Sequence, residues 1–363
     1  MAEAQPNPSL AAGWVALEAG RTDDAVAAGE AALATFPHDH AAVVLVVSAL
    51  TAGGRVPRAV TAYQGWAGNH PGGDIHLLAI VARGVLTTLG REAPLLDQRV
   101  AALDVLSDCG DQAGPRSLAS IGPRAGVRGD AVLAEHGDEK AGQRLVQAAS
   151  SGSGSRRIGA LEALADARPE GSADVLRTAA RDPDPVVRAT AARLTPRLED
   201  PQLVETLVPL LKDPSGDVRQ SAALALAAAG RSEGDELVTQ MLGTGIPDFV
   251  LAVAEALPNQ PGRWEAAVRG LLDTENPVDR LRAARLVAAV APEDASRVVQ
   301  RSLDDQNPAV REEAARSLAA MRTSPAGDDI AALLGDGDAW VRLRAAERVL
   351  RASTGQSVQS GIR

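Results

Sequence analysis

Aromatic side chains are almost missing from this sequence. Of 363 residues only Trp14, Trp66, Trp264, Trp340, Tyr63, Phe36 and Phe249 are aromatic. Large rings cannot build the core, so Ala, Leu and Val must fill it, and those residues suit closely approaching helices. Cysteine occurs once, at Cys109, which excludes an internal disulfide and a cysteine-based metal cluster. That thiol reads as a small buried hydrophobe rather than a nucleophile. Lysine is confined to Lys140 and Lys212, so nearly all cationic chemistry here is arginine. No run of about 18 apolar residues occurs, so no membrane insertion is expected. The segment Met1–Ser9 lacks a signal-peptide core, which points to the cytoplasm. A net charge of −10 argues against a nucleic-acid partner, whose binding draws largely on phosphate neutralisation.

Repetition is what the sequence does have. Gly20, Ala25, Ala28 and Pro37 recur 34 residues later as Gly54, Ala59, Ala62 and Pro71. The glycines sit where a residue free to take positive φ ends the first helix of a pair. The alanines are small where helices cross, and the prolines stop each second helix. These residues and this period resemble the tetratricopeptide repeat, with a further helix near residues 75–89 as its cap.

From residue 126 a second period takes over. Its signature is Val-Arg-x-x-Ala, as in Val187-Arg188 with Ala191, Val218-Arg219 with Ala222, Val310-Arg311 with Ala314 and Val341-Arg342 with Ala345. The first position falls at residues 127, 156, 187, 218, 249, 279, 310 and 341, close to every 31. Val187, Ala191 and Leu194 lie at i, i+4 and i+7, one face of a helix. A second helix precedes each, such as residues 202–211 or 293–303. In the sixth unit Asp279 stands at the apolar position, and Val278 is expected to rotate inward. These units resemble HEAT repeats in the short bacterial form also found in phycobilin-lyase-like proteins. A single pair cannot bury both faces, so neighbours must stack.

The expected fold is therefore all-α, an α-solenoid of about two tetratricopeptide and eight HEAT-like helix pairs. Residues 1–8 are read as a disordered tail, 9–90 as tetratricopeptide-like, 91–125 as an irregular helical connector, 126–352 as HEAT-like and 353–363 as a second disordered tail. Within the connector, residues 100–106 suggest one degraded helix. The run Ser150–Ser155 looks like a linker, but the 31-residue register makes it a turn within a repeat. An Asp six residues before the signature Arg recurs as Asp182/Arg188, Asp213/Arg219, Asp305/Arg311 and Asp336/Arg342. Arg in a helix's first turn opposes the dipole and wants a carboxylate, so these are read as pairs of a structural ladder. The fifth unit replaces both members, with Thr244 and Val250.

Catalytic constellations do not emerge. His38, His40 and His70 fall at inter-repeat turns without the convergent set that zinc needs, so no metal and no cofactor are expected. Glu135-His136 resembles one His-Glu pair of HEAT-type di-iron hydroxylases, but it is single and reversed. Nucleophile elbows, phosphate loops and dinucleotide fingerprints are missing in strand–helix context. A HEAT-fold DNA glycosylase would need aromatic residues in a basic groove. A bilin lyase-type subunit or other HEAT-fold enzyme accessory is the better alternative. The resemblance to both repeat families implies a non-catalytic scaffold that docks a protein or peptide on a concave surface. The outward positions expected to line it are Arg193, Gln220, Leu281, Arg282, Arg285, Glu312, Glu313, Arg316, Trp340, Leu343, Arg344 and Glu347. Trp340 is singled out as an aromatic beside an Arg, the makeup of a binding hot spot, with an end cap as its structural alternative.

Overall fold

A computed structural model describes residues 8–70, 73–111, 114–121, 124–152, 154–321 and 327–354, and every regular element among them is helical. The first six helices are α1 (Pro8–Glu18), α2 (Thr22–Thr35), α3 (His40–Ala52), α4 (Val56–Ala67), α5 (Ile75–Glu92) and α6 (Leu96–Asp108). Then come α7 (Gly114–Ile121), α8 (Gly126–Glu135), α9 (Glu139–Ser151), α10 (Gly154–Ala167), α11 (Ser172–Ala179), α12 (Pro185–Leu194) and α13 (Pro201–Val204). The rest are α14 (Gly216–Ala228), α15 (Asp235–Gly243), α16 (Pro247–Ala256), α17 (Pro261–Arg269), α18 (Pro277–Val287), α19 (Pro292–Gln300), α20 (Pro308–Ala320), α21 (Gly327–Leu334) and α22 (Ala339–Ser353). Pro71 lies outside the described residues. So do the two expected tails, apart from Pro8, Ser353 and Thr354 at helix ends.

The all-α reading holds, as a protein of stacked helix pairs. Packing nevertheless cuts the chain differently from repeat sequence. Of the described residues, those up to Asp111 and those from Val299 onward form one compact unit, and those in between form the other. In the first, α1–α4 are the two expected tetratricopeptide pairs. Gly20 and Gly54 take φ of 74° and 72° and end the first helix of each. Ala25 and Ala59 are fully buried at the crossings. A Cβ on Gly29 would lie 2.5 Å from Val46 Cγ2, so α2 and α3 meet backbone against side chain. Helix α5 packs on α3, α4 and α6. The last HEAT-like pair joins the same core, with α22 against α5 and α6 and α21 against α4 and α5. Leu343, Val349 and Leu350 of α22 are accordingly buried.

In the expected helical connector, residues 96–108 and 114–121 form helices α6 and α7. Val100, Leu103 and Leu106 are buried along α6, and α7 follows it. Apolar spacing of three decided the matter despite flanking Gly and Pro.

In the second unit α8, α10, α12, α14, α16 and α18 form a row in which each helix touches the next. These helices carry the signature. Val187 and Val218 anchor it in the core with Ala191, Leu194, Ala222 and Leu226. The expected helix over 202–211 is instead short α13 followed by a 3-10 segment from Glu205 to Lys212, because Pro209 inside it lacks a donor. Most of the Ser-Gly run belongs to helix ends. α9 continues to Ser151, and α10 starts at Gly154 with φ of 55°. Ser153 lies outside the described residues. In the sixth unit Leu281, not Val278, is the buried anchor, while Asp279 stays half-buried and faces Arg282 at 3.7 Å.

Candidate interaction surface and the ladder beneath it

The expected Asp–Arg pairs form a ladder, but between repeats rather than within them. Arg188 donates from Nε and Nη2 to the two carboxylate oxygens of Asp213, at 2.8 and 2.9 Å. Arg311 does the same to Asp336, at 2.7 and 3.0 Å. Arg157 reaches Asp182 at 2.6 Å. Toward its own repeat Arg157 uses Nε, on the Ala149 carbonyl at 2.9 Å, whereas Arg188, Arg219, Arg311 and Arg342 use Nη1, also on backbone carbonyls. Arg188 binds those of Asp182 and Pro183, Arg219 those of Asp213 and Pro214, and Arg311 those of Asp305 and Gln306. Arg342 repeats the pattern on Asp336 and Gly337.

The reason is local. Each ladder Asp turns its carboxylate onto the N–H two residues ahead: Asp182 onto Asp184, Asp213 onto Ser215, Asp305 onto Asn307 and Asp336 onto Asp338. That turn points its carbonyl at its own Arg and, in Asp182, Asp213 and Asp336, leaves the carboxylate for the Arg of the preceding repeat. The Arg188–Asp213 side chains are only 14% and 8% exposed. The Arg188 hydrogen bond holds the Asp213 carboxyl below the usual carboxylate range against the opposing effect of burial.

The twelve positions expected to face outward divide. Leu281, Leu343 and Glu313 are buried, which removes them from an open surface. In both leucines an apolar side chain two residues past the signature position turns into the inter-helix contact. Gln220, Arg282, Arg285, Glu312, Arg316, Trp340, Arg344 and Glu347 are half-buried, and Arg193 is exposed. Most of these charges are tied to carboxylates about one repeat away. Arg193 meets Glu162 at 2.6 Å, Arg282 meets Glu255 at 3.0 Å and Arg285 meets the same Glu255 at 3.4 Å. Arg197 pairs with Asp166 likewise. In the other unit Arg344 lies 3.6 Å from Glu312 and 3.0 Å from Glu347, and Arg316 joins Glu312 to Glu313. The Arg344 guanidinium carbon stands 5.8 Å from the Trp340 ring centroid. Glu162, Asp166 and Glu255 were missed in the sequence. Opposite charges one 31-residue period apart, as in Arg193/Glu162 and Arg197/Asp166, were the available signal.

The tetratricopeptide histidines do something else. His70 stacks on Trp66 at 4.3 Å and donates from Nδ1 to its carbonyl at 2.8 Å. His38 meets His70 edge-on, and His40 Nε2 lies 2.7 Å from Asp74. Burial pushes the Asp74 carboxyl up, but the hydrogen bonds from His40 and from the N–H groups that it caps on α5 hold it below the usual range. Cys109 is half-buried, and that burial pushes its thiol up.

Stacked helix pairs with a period-long ladder define an all-helical repeat protein of the solenoid class. More particularly, the chain carries a tetratricopeptide repeat segment over residues 10–74, followed by HEAT repeats over residues 173–258 and 265–351. No curated protein matches it significantly. Among solved structures it is similar to human deoxyhypusine hydroxylase in complex with glycerol, at 22% identity over 68% of this chain and 97% of that one, with a TM-score of 0.36. An engineered protein is similar at 19% identity over 85% of this chain and 95% of its own, with a TM-score of 0.30. Likenesses this distant say nothing of function. Among the described residues no helix is long and apolar enough to cross a membrane.

Proposed function

We propose that this protein is a non-catalytic scaffold of the cytoplasm that docks a protein or peptide segment on the exposed face of its signature helices. The observation that supports this reading is the set of ion pairs running along that face. Arg193–Glu162, Arg197–Asp166 and Arg282–Glu255 in one unit and Arg344–Glu312 in the other join successive repeats. Side chains held in this way lose little further freedom on binding, which favours recognition over a long surface. Trp340, half-buried beside Arg344, is the proposed anchor.

The test is capture of the partner by the purified chain, followed by the same capture with Trp340→Ala. Loss of capture at unchanged melting temperature supports the interface. A marked drop in melting temperature makes Trp340 a structural cap instead. Elemental analysis is the companion measurement: one zinc or two irons per chain would reverse the non-catalytic reading.

A further inference from the structure

The ladder has a half-empty rung at Arg219. In the register set by Arg157–Asp182, Arg188–Asp213 and Arg311–Asp336, the partner of Arg219 is residue 244, which is threonine. One step further the register pairs Val250 with Thr274, so there both members are uncharged and Val250 is part of the core. At Arg219, by contrast, the cation is kept and the carboxylate is lost.

Arg219 is nevertheless held as its counterparts are. Its Nη1 donates to the carbonyls of Asp213 and Pro214 at 2.8 and 3.1 Å, against 2.8 and 3.0 Å for Arg188. Those bonds fix the guanidinium plane and leave the Nε–Nη2 edge, which in Arg188 and Arg311 grips an aspartate with both donors. Asp213 does not serve that edge; its oxygens accept from Arg188 and from the Ser215 N–H. Thr244 keeps the turn of the missing Asp, accepting from the Ile246 N–H at 3.2 Å, but its hydroxyl proton goes to the Met241 carbonyl. Gly243, Thr244 and Gly245 are all exposed and small, and Ile246 beside them is 47% exposed.

We infer that Arg219 is a docking point for a carboxylate side chain of an acidic, leucine-containing segment of a partner protein, which completes the rung in place of the absent aspartate. The neighbouring rungs supply the template for the ligand, a carboxylate gripped by two parallel hydrogen bonds. Ile246 supplies the apolar contact beside it. The inference rests on the scaffold reading.

The experiment has an internal and an external arm. Thr244→Asp should fill the rung from within, raising the melting temperature by about 2–4 °C in the natural chain and not at all in an Arg219→Gln background. A fluorescein-labelled peptide of alternating glutamate and leucine, titrated at low ionic strength, should bind the natural chain more tightly than its glutamine counterpart. Both Thr244→Asp and Arg219→Gln should weaken it by on the order of tenfold, while Arg269→Gln, which removes a charge elsewhere, should not. Stabilisation by Thr244→Asp that does not need Arg219 overturns the proposal. So does the lack of saturable peptide binding, or binding equal in all variants. A phosphoserine peptide that binds more tightly than the glutamate peptide overturns the carboxylate assignment. Capture of a natural partner that neither variant disturbs removes this site and leaves the scaffold reading standing.

Discussion

In residues 112–298 successive repeats are joined by arginine–aspartate rungs set in shielded turns, such as Arg188–Asp213. In the tetratricopeptide segment of the other unit, the arginine pairs that join repeats have at least one member largely in the open. Arg58 meets Glu30 at 2.9 Å with both side chains more than half exposed, and Asp23 opposite Arg55 is 86% exposed. What holds those repeats is contact, through Gly29 against Val46 and through buried Leu45, Leu50, Leu77 and Leu86. The same architectural need, registering one helix pair on the next, is therefore met by directional charge in one region and by close packing in the other. Charge in a shielded turn keeps its strength, whereas an exposed pair is screened and contributes little.

Five substitutions would break or sharpen this contrast. The largest effect is expected from Leu343→Ala, which empties a fully buried site on α22 and should cost about 2–5 kcal/mol. Hydrogen exchange should then rise in α5 and α6 together with α21 and α22. Exchange confined to the last pair would show that the tetratricopeptide segment stands without it.

Next comes Arg188→Ala, expected to cost about 3 kcal/mol, because Asp213 is left shielded without its cation. This loss depends on pH. The Asp213 carboxyl is depressed in the folded state, so its stabilisation is present above the unfolded value of about 3.9 and disappears as pH falls through the lower folded value. Denaturant titrations of Arg188→Ala and the natural chain should therefore converge in strong acid. A constant gap at all pH values would mean that Arg188 acts through its carbonyl bonds alone. Arg219→Ala is expected to cost less than Arg188→Ala, because it removes only carbonyl bonds and leaves no carboxylate unpaired.

Gly29→Ala should cost about 1–3 kcal/mol, since the added methyl group meets the branched, buried Val46. The smallest effect is expected from Arg58→Ala, at most about 0.5 kcal/mol, because its pair with Glu30 is exposed. A loss at Arg58 comparable to that at Arg188 would erase the distinction between the two regions.

The sequence by itself determined everything that depends on period. A 34-residue recurrence placed Gly20 and Gly54 at their turns, and a 31-residue recurrence placed Val187 and Val218 in the core, because each repeat meets the same neighbours in the same way. It also marked Asp182, Asp213 and Asp336 with their arginines as a ladder. Tertiary structure alone decided the rest. Which Asp serves which Arg depended on the direction in which each turn aims its carboxylate, and that direction joined neighbouring repeats. Leu281 and Leu343 turned inward because the faces of adjoining helices were there to cover them. The last pair shares a core with α5 and α6, which are more than two hundred residues away in sequence. Periodicity is local and can be read along a chain; long-range burial depends on surfaces that exist only once the chain has folded.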